Sequence, residues 1–383
     1  MELINRTIAS QILESLVPNK VVVLVGPRRV GKTVLIEQLV NSIGEPYLLL
    51  NGEDFAVREI LARRTVQNYI NLLGGRRVLL IDEAQKIPDI GNILKLMVDQ
   101  IKGLRLLVTG SSAFDIQNYT GEPLTGRKIT FNLYALSEEE LNQTESIFEK
   151  KDNLYKRLVY GNYPELIQLS GDKQKENYLR EIVNSYLLKD ILAFENIRNS
   201  DKILDLLRHI AFQIGKEVSL QELGNQLDMS KNTVDKYLDL LSKVYVIHKV
   251  RGFSRKLRKE ITKNSRWYFL DNGLRNILVA NVNPISARND IGMLWENYVI
   301  SERIKFQRYH QLTVNNYFWR TYDQQEIDWV EEHGGRLYGY EMKWNPGKRP
   351  KAPISWEKSY PDSDFQVIHP DNYLDWITPP VSL

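Results

Sequence analysis

Short, nearly continuous apolar runs mark the first part of the chain, at residues 21–25, 47–50, 77–81 and 104–108. Residues with helical spacing lie between them, such as Ile93, Leu96, Met97 and Ile101. Strands that read as apolar throughout are covered on both faces, and their alternation with helices predicts a parallel sheet. From residue 136 to 214 the spacing becomes helical, with Tyr178, Ile182, Tyr186 and Leu187, then Ile203, Leu206, Leu207 and Ile210. Residues 218–251 read as a helix-turn-helix followed by a wing. Ser219 with Glu222 forms a capping box, Ser230 caps a second helix, and Val234, Tyr237, Leu238 and Leu241 make its apolar stripe. A strand-like run at 244–250 and another at 267–270 close this unit. The last hundred or so residues predict a helix over 291–306 and strands at 316–320, 326–330, 337–344 and 365–368, a small mixed sheet turned at Gly334-Gly335.

The first apolar run leads into Gly26-Pro27-Arg28-Arg29-Val30-Gly31-Lys32-Thr33, which fits G-x-x-x-x-G-K-[ST] and is followed by a helical pattern. A strand, a glycine-rich turn and a helix start make a phosphate cradle, in which successive backbone N–H groups face an anion. Lys32 is placed for the β- and γ-phosphates of ATP, and the Thr33 hydroxyl for Mg²⁺. The third run ends in Asp82-Glu83 and the fourth in Thr109-Gly110-Ser111-Ser112. In an open parallel sheet, ligands bind at the carboxyl ends of the strands, so these segments converge on one edge. Asp82 is the natural second partner of Mg²⁺, and Glu83 is a candidate general base. The plainer alternative for this acidic pair is a solvated strand end.

The stretches GPRRVGKT, VLLIDEAQKIPD and LLVTGSSAFDI resemble the Walker A, Walker B and sensor-1 segments of the AAA+ group of P-loop ATPases. More narrowly, they are similar to a prokaryotic AAA family with a carboxy-terminal domain of unknown function, as are LTGRKITFNLYALS and YGNYPEL. The resemblance implies a helical lid after the ATPase core. It also implies that Ser111 or Ser112 is the polar sensor-1 residue and that Arg127 is an arginine finger or sensor. For Arg127, a surface ion pair with Glu138 or Glu139 is the competing expectation.

The presumed wing is rich in cations: Lys249, Arg251, Arg255, Lys256, Arg258, Lys259, Lys263 and Arg266, opposed only by Glu260. Such a segment suits phosphate-backbone contact with duplex or branched DNA, without sequence choice. Asp235 and Asp239 on the presumed recognition helix argue against base readout, and winged helices also serve as protein-contact modules.

In the last region, alternation puts Glu341 and Lys343 on one face of a strand, with Asp328 on its hairpin partner. Two carboxylates about 4 Å apart repel by about 4 kcal/mol at an effective dielectric near 20, and a divalent cation reverses that sign. With Asp328 and Glu341 holding Mg²⁺ or Mn²⁺ and Lys343 orienting water, the set suits metal-assisted phosphodiester hydrolysis. Asp328, Glu341 and Lys343, with Glu296 as a helix acid, resemble the PD-(D/E)xK, restriction-endonuclease-like superfamily, although Ile327 stands where some members have proline. A simple cross-strand ion pair is the alternative.

Composition narrows the field. The 383 residues carry 51 Lys and Arg against 48 Asp and Glu, so net charge alone gives no argument for nucleic acid. The absence of cysteine excludes disulfides, thiolate nucleophiles and Cys-ligated zinc. There is no signal-peptide pattern at the start and no apolar run near the ~20 residues of a membrane span, so a cytoplasmic protein without membrane contact is expected. The expected organisation is α/β: a P-loop NTPase core with a parallel sheet (1–135), a helical lid (136–214), a winged helix (215–283) and a restriction-endonuclease-like domain (284–383). The expected function is that of an oligomeric ATPase acting on nucleic acid, with metal-dependent nuclease activity in prospect. The competing expectations are a nucleotide-controlled switch that cuts nothing and a ring translocase that only binds branched DNA.

Overall fold

The computed structural model describes residues 4–111, 124–187, 200–255 and 264–379. The chain divides into two compact units, 1–135 and 136–383.

The first unit contains strands β1 (Val21–Val25), β2 (Tyr47–Asn51), β3 (Val78–Asp82), β4 (Arg105–Gly110) and β5 (Lys128–Asn132). They form one parallel sheet in the order β2-β3-β4-β1-β5. β1 and β3 are buried along their whole length, which explains their unbroken apolar sequences. The parallel sheet expected from those runs is present. β5 has no counterpart among them: its alternating Lys128-Ile129-Thr130-Phe131-Asn132 lacks an apolar run because only Phe131 is buried. The strand order reverses at β1, which lies between β4 and β5 although it is first in the chain, and such reversal points are where open α/β sheets bind ligands.

The second unit begins with helices Glu138–Leu141, Ile147–Tyr160, Pro164–Gln168 and Asp172–Glu181, and continues with Ser200–Phe212. Helices Leu220–Leu227 and Lys231–Lys243 follow, capped by the Ser219 and Ser230 side chains, which accept hydrogen bonds from Glu222 N and Thr233 N. The remaining strands are β6 (Glu217–Val218), β7 (Ile247–Gly252), β8 (Ser265–Phe269), β9 (Asn315–Arg320), β10 (Glu326–His333), β11 (Arg336–Met342) and β12 (Asp364–Ile368). They form a single mixed sheet, ordered β12-β11-β10-β9-β7-β8-β6. β7 pairs with β9 in parallel, Arg251 opposite Tyr317 and Gly252 opposite Phe318. The sheet therefore crosses the boundary expected between residues 283 and 284. The physical reason is that β7 and β9 would otherwise each expose an unpaired edge.

The helix Ile291–Tyr309 packs against this sheet and buries residues on most of its circumference, including Trp295, Tyr298, Val299 and Ile304. A second cluster, Phe253, Trp319, Ile327, Val330, Leu337, Trp356 and Tyr360, fills the other side. β10 is buried from Ile327 through Glu331, so its two faces are both covered.

His248 on β7 gives the unit a pH dependence. Burial, reinforced by the nearby Arg308 charge, lowers its pKa from 6.5 to about 4. The unfolded chain takes up a proton near pH 6.5 and the folded one only near 4, so stability is lost as pH falls through that window and levels off below it. Between pH 7 and pH 4.5 the urea midpoint of the wild type should fall relative to that of His248→Leu.

Candidate nucleotide site and a buried acidic cluster

The phosphate loop leaves β1 at Val25 and enters the helix Lys32–Ile43. Gly26 is required by space: a Cβ there would lie 2.0 Å from Leu133 O. The Lys32 side chain is buried, and its ammonium donates to Gly26 O and Pro27 O at 2.9 Å each. The Thr33 hydroxyl donates to Asp82 Oδ2 at 2.8 Å. Asp82 is also held by the Thr109 hydroxyl, and its Oδ1 accepts Glu83 N at 3.1 Å. Gln85 Nε2 donates to Glu83 Oε2 at 2.6 Å and to Ser111 Oγ at 3.3 Å. Gly26 to Thr33, Asp82, Glu83 and Ser111 are thus brought to the carboxyl edge of the first sheet. Ser112 lies outside the described residues.

Arg127 does not join them. Its carbonyl accepts Val21 N at 2.8 Å, at the amino end of β1, and its guanidinium pairs with Asp99 at 2.6 Å rather than with Glu138 or Glu139. The parallel register, Val21 opposite Lys128, places it at the edge away from the phosphate loop of its own chain. It is therefore not placed as a sensor for the phosphate loop of its own chain.

Three contributors carry no clear signal in the sequence. Thr109 reads only as part of a strand end, and Gln85 has no mark beyond its proximity to Glu83. Arg6, far upstream, donates to Val30 O at 2.8 Å and Tyr134 O at 2.7 Å, bracing the loop against the segment after β5. A charge-assisted bond contributes roughly 1.5–3 kcal/mol. Arg6→Ala should lower the melting temperature and raise the nucleotide Kd several-fold, read by thermal shift with and without a non-hydrolysable ATP analogue.

In the second unit, Glu296, Asp328, Glu341 and Lys343 share one neighbourhood. Trp329 pairs with Tyr340, so the next step of the register sets Asp328 opposite Glu341. Asp328 also sits in a β-bulge, because β10 takes two residues to pass Phe318 between the pairs Ile327–Trp319 and Val330–Tyr317. Asp328 Oδ2 accepts Met342 N at 3.0 Å, and Glu341 Oε1 accepts Lys343 Nζ at 2.5 Å. The Asn297 amide binds both Phe269 N and Phe269 O, at 2.7 and 3.0 Å, which fixes the helix so that Glu296 accepts the Tyr268 hydroxyl at 2.8 Å.

Arg266 enters this cluster from β8. It is buried, contacts Glu326 at 2.7 Å and Asp328 at 3.5 Å, and lies over the Phe318 ring. This corrects its expected place in an exposed basic wing: β8 is an inner strand, and its side chains have little access to water. Lys249 pairs with Asp235 and Arg255 with Glu332, while Lys256, Arg258, Lys259 and Lys263 lie outside the described residues.

Burial, then the charge of Asp328, pushes Glu296 up to about 8 and Glu341 up to about 7; burial also raises Asp328. With Glu326, four carboxylates thus face two cations, Arg266 and Lys343. Among the described residues, no three His, Asp or Glu side chains are grouped as a ready metal site. Each carboxylate is instead turned to its own partner.

Comparison with known proteins bears on both regions. Residues 18–142 match the family model of an AAA domain. Most of the first unit thus matches an AAA domain. Residues 151–285 and 291–372 match two domains of unknown function, DUF8612 and DUF4143, neither of which names an activity. Over 341 residues the chain is 25% identical to an uncharacterized protein of Mycobacterium tuberculosis, covering 88% of this chain and 73% of that one. An uncharacterized protein of Haemophilus influenzae is 24% identical over 333 residues, covering 80% and 78%. The Thermotoga maritima RuvB Holliday junction branch migration motor overlaps 63% of this chain and 87% of its own at 18% identity and a TM-score of 0.32, too loose a likeness to carry an argument. Among the described residues, no helix is long and apolar enough to cross a membrane.

Proposed function

We propose that the chain is an ATP-hydrolysing AAA+ ATPase that acts on nucleic acid, DNA before RNA, through its second unit, and that it works as a homo-oligomer in the cytoplasm. The observation that carries the ATPase part is the hydroxyl–carboxylate pair Thr33–Asp82, 2.8 Å apart beside the Lys32 loop. One hydroxyl and one carboxylate, completed by phosphate oxygens and water, match what Mg²⁺ takes from such sites. Mg²⁺ would neutralise charge developing on the transferred phosphoryl group. Lys32 would turn from its loop carbonyls to the phosphates. Glu83, oriented by Gln85, would accept the proton of the attacking water, and Ser111 would lie within reach as the sensor.

For the second unit, the reading divides 136–214 as a helical lid, 215–283 as a winged helix that touches the duplex backbone, and 284–383 as a restriction-endonuclease-like region. Its support is the meeting of Glu296, Asp328 and Glu341, whose mutual repulsion a divalent cation would relieve, with Lys343 beside them. Hard carboxylate oxygens suit Mg²⁺ or Mn²⁺, with Asp328 and Glu341 as the holding pair. Such a cation would polarise the phosphodiester, while Lys343 orients the water. The expected result is Mn²⁺-dependent cleavage of linear or branched DNA that survives Lys32→Ala and falls at least about a hundredfold in Lys343→Ala. Cleavage that persists unchanged in Lys343→Ala refutes the assignment.

Arg266 favours a second reading. A buried guanidinium beside Asp328 and Glu326 supplies part of the positive charge a cation would bring, leaving a nucleotide-controlled switch that binds partners without cutting. That reading predicts ATP-dependent oligomerisation and no metal-dependent nicking by the wild-type chain.

A further inference from the structure

We propose that a cleft in the second unit seats an unstacked base of a single-stranded nucleic-acid segment. The proposal rests on the reading that this unit acts on nucleic acid, and it names the form of substrate. The cleft is half open to solvent and offers about 630 Å³, within the usual range of volume for pockets that hold a drug-sized ligand. Tyr155 and Trp344 stand at it, their ring centroids 5.9 Å apart and tilted by 54°, and both are half-buried. Behind them Trp295 is fully buried. It meets Trp344 edge-on at 5.6 Å and Tyr373 at 5.3 Å, and its indole N–H donates to Ile368 O at 3.3 Å. The Trp344 ring is therefore braced from one side while part of its surface faces solvent.

Lys150 and Lys151 line the same cleft, and neither ammonium pairs with a carboxylate among the described residues. The acid in the lining is Asp371, which is exposed. Aromatic faces for a base beside unpaired cations for the backbone are the two components by which proteins hold single strands. The bases of an intact duplex are stacked inside it and cannot reach such rings. Trp344 directly follows Lys343, so the cleft and the acidic cluster share one chain segment.

The test uses the full chain, a fluorescein-labelled fifteen-residue oligothymidylate, and EDTA to prevent cleavage, with anisotropy as the readout. Trp344→Ala should weaken binding about tenfold, and Trp344→Phe should keep most of the affinity. The double variant Lys150→Ala/Lys151→Ala should flatten the slope of log K against log salt by about 1.4, or about 0.7 for each phosphate deprived of its lysine. Unchanged affinity in Trp344→Ala overturns the proposal. So does an equal loss in Trp344→Phe, which marks a packing role. Thymidine monophosphate bound as tightly as the oligonucleotide marks a free-nucleotide site and overturns it too, as does an acidic peptide that displaces the probe from Trp344. Cleavage assays with Mn²⁺ separate the two readings. Trp344-dependent binding with no cleavage removes the nuclease alone, whereas cleavage with Trp344-independent binding removes this inference alone.

Discussion

Lys32→Ala should abolish productive ATP binding. Lys32 is 6% exposed, and its ammonium is held by two loop carbonyls, Gly26 O and Pro27 O, at the place where the phosphates arrive. A cation about 4 Å from a phosphate charge at an effective dielectric near 20 contributes about 4 kcal/mol, roughly a thousandfold in affinity. Calorimetry should detect no ATP uptake at concentrations that saturate the wild-type chain, and phosphate release should fall at least as far. Glu83→Gln is expected to behave differently. It keeps the Thr33–Asp82 pair and the loop, so ATP still binds, but without a general base turnover should fall between about 10² and 10⁴-fold. A Lys32→Ala chain that binds ATP with ordinary affinity removes the nucleotide site, and with it any nucleotide control of the second unit.

These two variants follow from residues that stand out in one dimension. Gly26 to Thr33 and Asp82-Glu83 are legible because the chemistry needs fixed types at short spacing, and the apolar runs before them predict the strands that carry them. Arg6 is not legible, since its partners Val30 and Tyr134 lie 24 and 128 residues away and no local pattern marks a guanidinium that braces backbone. Arg127 shows the converse failure. Its motif is visible, but its position at the amino edge of β5 depends on a strand that the alternating burial of Lys128–Asn132 conceals.

The acidic cluster is half legible. Asp328, Glu341 and Lys343 are linked by a hairpin, so alternation and the turn at Gly334-Gly335 bring them together. The bulge that aims Asp328 has no sequence signal. Arg266 is misplaced in one dimension because a charged run reads as a solvated surface, whereas β8 lies between β7 and β6 and pairs with both. The β7–β9 pairing that makes one sheet of residues 217–368 is long-range and parallel, and a reading by successive segments divides it.

The largest stability effect is expected at Gly161, which closes the helix Ile147–Tyr160 with φ 77° and ψ −165°. That combination is essentially restricted to glycine. A Cβ at this position would lie 2.1 Å from Asp271 Oδ1. Asp271 cannot simply retreat. It is buried, accepts Asn162 N at 2.8 Å, and caps the helix Asn272–Leu278 by accepting Leu274 N at 3.2 Å. Asn162 in turn donates to Leu136 O at 3.0 Å and Glu302 at 3.1 Å. One methyl group therefore strains the backbone by about 1–3 kcal/mol and displaces a buried cap that contributes about 0.5–2 kcal/mol. On those two figures, Gly161→Ala should lose roughly 1.5–5 kcal/mol in urea unfolding of the second unit's transition. The double variant Gly161→Ala/Asp271→Gly removes the clashing carboxylate, so its loss should be less than the sum of the two single losses. Additive losses, or a Gly161→Ala chain within about 1 kcal/mol of the wild type, would show that the carboxylate and the helix end do not constrain one another.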